Sequence, residues 1–221
     1  MRFFKVSLVV FLSFLLNNLS IAKNPSNLIN DIVNEAASVL KSSDPVESKS
    51  IKLNDIAERS VDIDGIGMYA LGKHKKTMSD EQKTKYKKLF KSYFLKSFSS
   101  RLVDYTDPKI NVVSQKVINK KYTIVNSILE ATSKRPQVKI DWRIYTKNPD
   151  KPLIRDLIVE GLSLARTQKE EFNSVIQNND GDVKALFKNL EEFLAAVDKK
   201  NDSLLLRIVR GNMATFIVIK K

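Results

Sequence analysis

Few side chains in this sequence are equipped for covalent or metal chemistry. Among 221 residues there is no Cys, one His and one Trp. The lack of Cys removes disulfides, thiol nucleophiles and thiolate-held zinc or iron–sulfur centres. A lone histidine makes a histidine metal site or a catalytic triad a poor reading, and His74, set between Lys73 and Lys75, reads as an exposed loop residue. Asp156 and Glu160 share one face of a strand, but four residues of strand separate their Cα atoms by about 13 Å. That is too far for a paired-carboxylate acid–base site. They read as hydrogen-bonding groups at a strand-to-helix corner near Gly161. Gly65-Ile66-Gly67 is a lone pair of glycines in an apolar turn. No G-x-x-x-x-G-K-[ST] loop stands in the sequence to bind nucleotide phosphates. No catalytic residue, metal ligand or cofactor is therefore expected.

Cations are the abundant polar resource. Lys and Arg number 38 against 25 Asp and Glu, for a formal net charge of +13. Residues 73–96 hold nine lysines against Asp80 and Glu81, and Lys83, Lys87 and Lys91 recur every four residues along one helix flank. The plain reading is a solvated helix face. The functional one is attraction to anionic headgroups or an acidic docking surface. The charge would also suit nucleic acid, but no nucleic-acid-binding motif is present, so that partner is not expected.

The elements that must position these groups follow from periodicity. Residues 1–5 carry Arg2 and Lys5, residues 6–16 are almost wholly apolar, and Ser20-Ile21-Ala22 supplies small residues for a peptidase. This is the pattern of a secretory signal, cleaved near Ala22. The apolar run is shorter than the ~20 residues that span a bilayer. Loss of Arg2 and Lys5 lowers the net charge from +13 to +11. Helical spacing covers residues 27–41, 53–61 and 62–71, with Asp62 or Asp64 as cap of the third and Gly72 ending it. The longest helix is expected over 77–105, opened by the capping box Ser79 to Gln82. The period then falls to two. Strands are expected over 110–118, 121–132, 137–146 and 153–160, joined by short polar turns, and helices over 163–177 and 182–199. In the third strand Val138, Ile140, Trp142 and Ile144 point one way and Lys139, Asp141 and Arg143 the other. The expected fold is α+β, with helices packed on one face of an antiparallel four-stranded sheet. Three regions result: a leader over 1–22, a main domain over 23–199 and a C-terminal β-hairpin over 200–221. Gly211-Asn212 is the hairpin's turn signal.

One ordered series of motifs is diagnostic. Val61-Asp62-Ile63-Asp64 leads a helix to Leu71-Gly72, just before Thr77-Met78-Ser79-Asp80-Glu81-Gln82. Tyr86, Leu89-Phe90 and Phe98-Ser99-Ser100-Arg101-Leu102 follow. Then comes Asp156-Leu157-Ile158-Val159-Glu160-Gly161-Leu162-Ser163, with Phe172 beyond. Over roughly residues 27–190 this resembles the MlaC, or toluene-tolerance, family of periplasmic phospholipid-binding proteins. The sequence departs from the pattern at Arg155, where an aromatic often precedes the Asp. The resemblance implies a periplasmic carrier that moves phospholipid between an outer-membrane lipoprotein complex and an inner-membrane ABC-transporter complex, maintaining outer-membrane lipid asymmetry. Phospholipid would be cargo, with its tails in an apolar cavity between sheet and helices. Candidate walls are Met68, Leu71, Phe94, Phe98 and Leu102 from helices, and Val125, Ile140, Trp142, Ile144 and Ile158 from strands. The alternatives are a small-ligand enzyme on a similar fold, or a fully packed interaction module. The last 20 or so residues resemble the final strands of a protease PDZ domain, without a PDZ core before them, and no PDZ function is inferred.

Overall fold

The computed structural model describes residues 24–133, 135–198, 203–210 and 213–220. The expected leader lies outside these residues. Helix α1 (Pro25–Lys41) starts where Asn24 accepts a hydrogen bond from the Ser26 amide and Pro25 supplies a fixed helical φ. Gln115 on the sheet accepts from both the amide and hydroxyl of Ser26, which seats the helix start. Helix α2 (Val46–Ser60) begins seven residues earlier than its apolar spacing indicates. Pro45 stands at its cap, where a missing N–H costs nothing, and Glu47 faces the positive end of the helix. Its first turns escape a periodicity search because Val46 and Ile51 there are exposed. Asp62 caps α3 (Ile63–Ala70) by accepting from the Gly65 amide. Gly72, at φ +55°, then turns the chain out of it. A 3₁₀ turn at His74–Lys76 leads to α4 (Asp80–Leu102), which opens with the expected capping box of Ser79 and Gln82.

Strands β1 (Ile110–Asn119), β2 (Tyr122–Leu129), β3 (Val138–Tyr145), β4 (Leu153–Val159) and the short β5 (Leu162–Ser163) form one antiparallel sheet in chain order. The four expected strands are present, and β5 adds a two-residue fifth. Helices α5 (Leu164–Gln177) and α6 (Val183–Asp198) follow. The hairpin β6 (Ser203–Arg210) and β7 (Met213–Lys220) pairs antiparallel as a separate sheet. The fold class is α+β.

Two apolar clusters hold the layers. Alternation along β2 and β3 sends Val125, Trp142 and Ile144 to one sheet face. There Ile29, Ile32, Val33 and Leu40 of α1, Leu53 and Ile56 of α2, and Ile154 of β4 complete a core. The second cluster lies among helices: Ile66 and Leu71 of the α3 segment, Tyr86, Phe90 and Tyr93 of α4, Phe172 and Ile176 of α5, and Leu186 and Leu190 of α6. Val61 packs against both clusters. There the α2–α3 junction bridges to β4, with the Asp62 amide donating to the Ile154 carbonyl at 2.9 Å.

Tyr86 is the centre of the helical cluster. It is fully buried, with Phe90, Phe187 and Phe172 around its ring at centroid distances of 5.7, 6.3 and 6.4 Å. Its hydroxyl donates to the Gly67 carbonyl at 2.9 Å. A Cβ at Gly67 would stand 2.6 Å from the Phe90 ring, so only glycine lets α3 approach α4 this closely. Burial, with Tyr93 as a smaller contributor, pushes the phenol's pKa far above its ordinary value. Tyr86→Phe should lower stability at neutral pH by about 1–3 kcal/mol, because a buried carbonyl loses its donor. The pH dependence has a definite sign. Above about pH 10 an unfolded tyrosine ionises while the buried one stays neutral, so this group's contribution is full below that pH and is lost as pH rises. Urea unfolding at neutral pH and near pH 10.5 should show a shallower alkaline loss in the variant than in the wild type.

Candidate ligand-binding site

Strand β2 reads Tyr122, Ile124, Asn126 and Ile128 on the face opposite Val125. An antiparallel strand with one wet face would be polar there. Helix α3 and the start of α5 reach round the β4 edge toward this second face, and a groove of about 360 Å³ opens between them and the sheet. Its size falls in the range of small-ligand sites. Ile118, Asn119, Tyr122 and Ile124 line it from β1, β2 and the turn region, and Gly65, Ile66 and Tyr69 from α3. Arg143, Arg155 and Asp156 are the charged members of the lining, with Arg143 directly opposite Ile124 in the sheet, and Ala165 of α5 completes it.

The three charged groups have different duties. The Arg155 Nε donates to Asp62 Oδ2 at 2.6 Å and its Nη1 to the Tyr122 hydroxyl at 3.1 Å. Its guanidinium lies 3.8 Å from the Tyr145 ring centroid. Burial works against its charge, but Tyr122 and Asp62 outweigh that and raise its pKa. Arg155 therefore clamps β2, β4 and the α3 cap together, a planar cation stacked on an aromatic ring. Asp156 is buried and accepts from the Ser163 hydroxyl at 2.7 Å and the Ala165 amide at 3.0 Å. Ser163 in turn accepts from the Arg166 amide as cap of α5. Both carboxylate oxygens are thus committed to the β4–α5 corner, as expected from the sequence. Glu160 serves the same corner. It sits at φ 48° before Gly161 at φ 81°, and its carboxylate accepts from the Lys139 amide. Arg143, half-exposed and 3.7 Å from Asp156, is the cation best placed to meet a guest.

The sequence-derived wall candidates fall into three places. Val125, Trp142 and Ile144 are in the sheet-side core, with Ile140, Phe98 and Leu102 packed against it. Leu71 is in the helical core, with Met68 and Phe94 packed against it. Ile158 pairs with Asp141 and Ser163 on the opposite sheet face. None of the ten lines the groove itself. The two clusters meet along α4, where the Phe94 and Phe98 rings stack 6.1 Å apart at an interplanar angle of 7°. Sequence reasoning missed Ile66, Tyr69, Ile118, Ile124 and Arg143 as groove residues. The available signal was the apolar Ile124 and Ile128 on the nominally wet face of β2.

Two further expectations resolve differently. His74 is buried, not exposed: the 3₁₀ turn points it at α5, where its Nε2 donates to Asn173 Oδ1 at 3.0 Å. A flanking run of lysines hides this, because one turn of 3₁₀ helix sends neighbouring side chains in different directions. The lysine flank of α4 is solvent-facing and also paired. Lys83 meets Asp80 at 3.0 Å, Lys87 meets Asp64 of α3 at 3.1 Å, and Lys91 meets Glu58 of α2 at 2.6 Å. Among the described residues no cluster of His, Asp and Glu suits a metal ion, and no helix is long and apolar enough to cross a membrane.

The groove between sheet and helices thus carries both apolar side chains and a half-exposed cation. The family described as MlaC protein matches residues 30–192, and the chain belongs to that family. No curated protein matches the chain in sequence. Among solved structures it is similar to a phospholipid-binding protein from Ralstonia solanacearum, determined in complex with a phospholipid. The TM-score is 0.68 at 20% identity, over 80% of this chain and 99% of that one.

Asp156→Asn tests the corner. It should lower stability by about 1–3 kcal/mol in urea unfolding, through weaker hydrogen bonds to Ser163 and Ala165 and a lost partner for Arg143. Hydrogen exchange should quicken first in the opening turn of α5. Unchanged stability and exchange would sink the corner role.

Proposed function

We propose that this chain is a periplasmic phospholipid carrier, exported by its leader and cleaved near Ala22. Its domain over 23–199 holds the lipid, and it passes cargo between an outer-membrane lipoprotein complex and an inner-membrane ABC-transporter complex. The observation that carries the reading is the groove, lined by Ile66, Ile118 and Ile124 together with the half-exposed Arg143, in a member of the MlaC family. The phospholipid held by the Ralstonia solanacearum neighbour supports it.

The energetics fit a carrier. Two acyl chains hold roughly 30 methylenes at ~0.8 kcal/mol each, so bare tails in water cost on the order of 20 kcal/mol. A protein interior as apolar as the bilayer removes that cost at both ends of the journey. Exchange is then nearly thermoneutral, and direction comes from the partners. The groove admits the first part of a tail. Further room comes from parting the two apolar clusters at Val61, Phe94 and Phe98. Met68, Leu71, Leu102, Val125, Ile140, Trp142, Ile144 and Ile158 then stand around the opened space. Arg143 faces the headgroup phosphate. Asp156 and Arg155 hold the frame, and the role proposed for the groove is binding.

Native mass spectrometry of the exported protein should show added phospholipid mass that organic extraction removes. Material that is always lipid-free and refuses added phospholipid overturns the reading. Ile124→Arg places a cation against the tail path. It should reduce co-purified lipid at least about tenfold, with little change in the urea midpoint. Full retention of lipid would move the tail path away from this groove.

A further inference from the structure

The C-terminal hairpin lies beyond the residues that match the family, which end at 192. Its register is regular: Leu204 opposes Ile219, Leu206 opposes Ile217 and Ile208 opposes Thr215. These residues share one face. The other face carries Leu205 opposite Val218, Arg207 opposite Phe216 and Val209 opposite Ala214. Both faces are therefore largely apolar, whereas a hairpin lying on a soluble domain keeps one polar face. Strand β7 passes beside α5, and a single helix can cover one face, not both. A two-stranded hairpin is marginal in water without such cover.

The charge pattern says what covers the remainder. The sequence from 199 to 221 carries Lys199, Lys200, Arg207, Arg210, Lys220 and Lys221 against Asp202 alone. All but Arg207 flank the apolar centre, before β6, at the turn end of the hairpin, or after the centre of β7. A second copy would bring two such clusters of like charge together, which opposes hairpin-to-hairpin pairing. An anionic lipid surface attracts them, and its interfacial zone accepts apolar side chains. The free strand edges keep the hairpin out of the hydrocarbon, where their N–H and C=O groups would go unpaired, and hold it at the headgroup boundary. We propose that this hairpin is a membrane-docking element that sets the protein on anionic bilayers. The inference does not depend on the groove's cargo.

The test is co-sedimentation of the exported protein, its leader's removal checked by intact mass, with vesicles of phosphatidylglycerol and phosphatidylcholine and with pure phosphatidylcholine. The wild type should pellet with the anionic vesicles, release at high salt and ignore the neutral ones. Leu206→Asp combined with Ile217→Asp should lower partition roughly tenfold or more. A second variant, Arg207→Gln with Arg210→Gln and Lys220→Gln, should do the same without adding charge to an apolar face. The Gln variant should keep the wild-type urea midpoint. Equal pelleting of all three proteins overturns the proposal. So does a wild-type dimer, by sedimentation velocity, that the Asp variant dissolves, because the face would then join two copies. Cargo is read separately by native mass spectrometry. Vesicle binding by a protein that never holds lipid upholds the docking element and counts against the carrier.

Discussion

Strand β2 is apolar on both sides, and most of the architecture answers that single demand. Val125 and Leu129 require cover on one face, Ile124 and Ile128 on the other. Helices α1 and α2 meet the first demand with a closely filled layer. The second is met only partly. Helix α3 is brought round the β4 edge by the break after α2, by the bridge from Val61 to Ile154 and by the Arg155 clamp on Asp62. It does not close flush against the sheet, and what remains between them is the groove. Hydrophobic cover left incomplete on one side of a strand is a structural way of reserving space for something apolar.

The sequence made the element order legible because the signals were local. Ser79 and Gln82 form their reciprocal cap as spacing alone indicates, and Asp62, one of the two caps that spacing allowed, caps α3. The alternation of Val138, Ile140, Trp142 and Ile144 against Lys139, Asp141 and Arg143 survives intact in β3. Where the reading failed, the deciding fact was tertiary. The start of α2 rests on Pro45 and Glu47, not on an apolar stripe. The burial of His74 rests on Asn173, ninety-nine residues away. The groove depends on which of two apolar faces of β2 is filled, and a count of apolar residues cannot distinguish them. That is why nine of the ten candidate wall residues lie in or against filled layers, and why Ile124 and Arg143 were passed over.

The charged residues divide along similar lines. The α4 lysines tie that helix to α2 and α3, and the adjacent Arg155 and Asp156 in the middle of β4 fix that strand to the α3 cap and to the start of α5. Among the described residues, the boundary between the two clusters carries no such polar tie at Phe94 and Phe98, whose rings simply stack there.

Strand β1 closes one side of the main sheet, with β2 as its sole neighbour in the strand order, and it exposes Val113 and Val117. A long flat margin of this kind invites other chains to add themselves, which is how fibres are seeded. Here the register shifts twice, between Val112 and Ser114 and between Val117 and Asn119. The irregularity spoils the even ladder that a newcomer needs, and Lys116 adds repulsion. A protein that keeps greasy surfaces accessible is thereby spared from polymerising along its own rim.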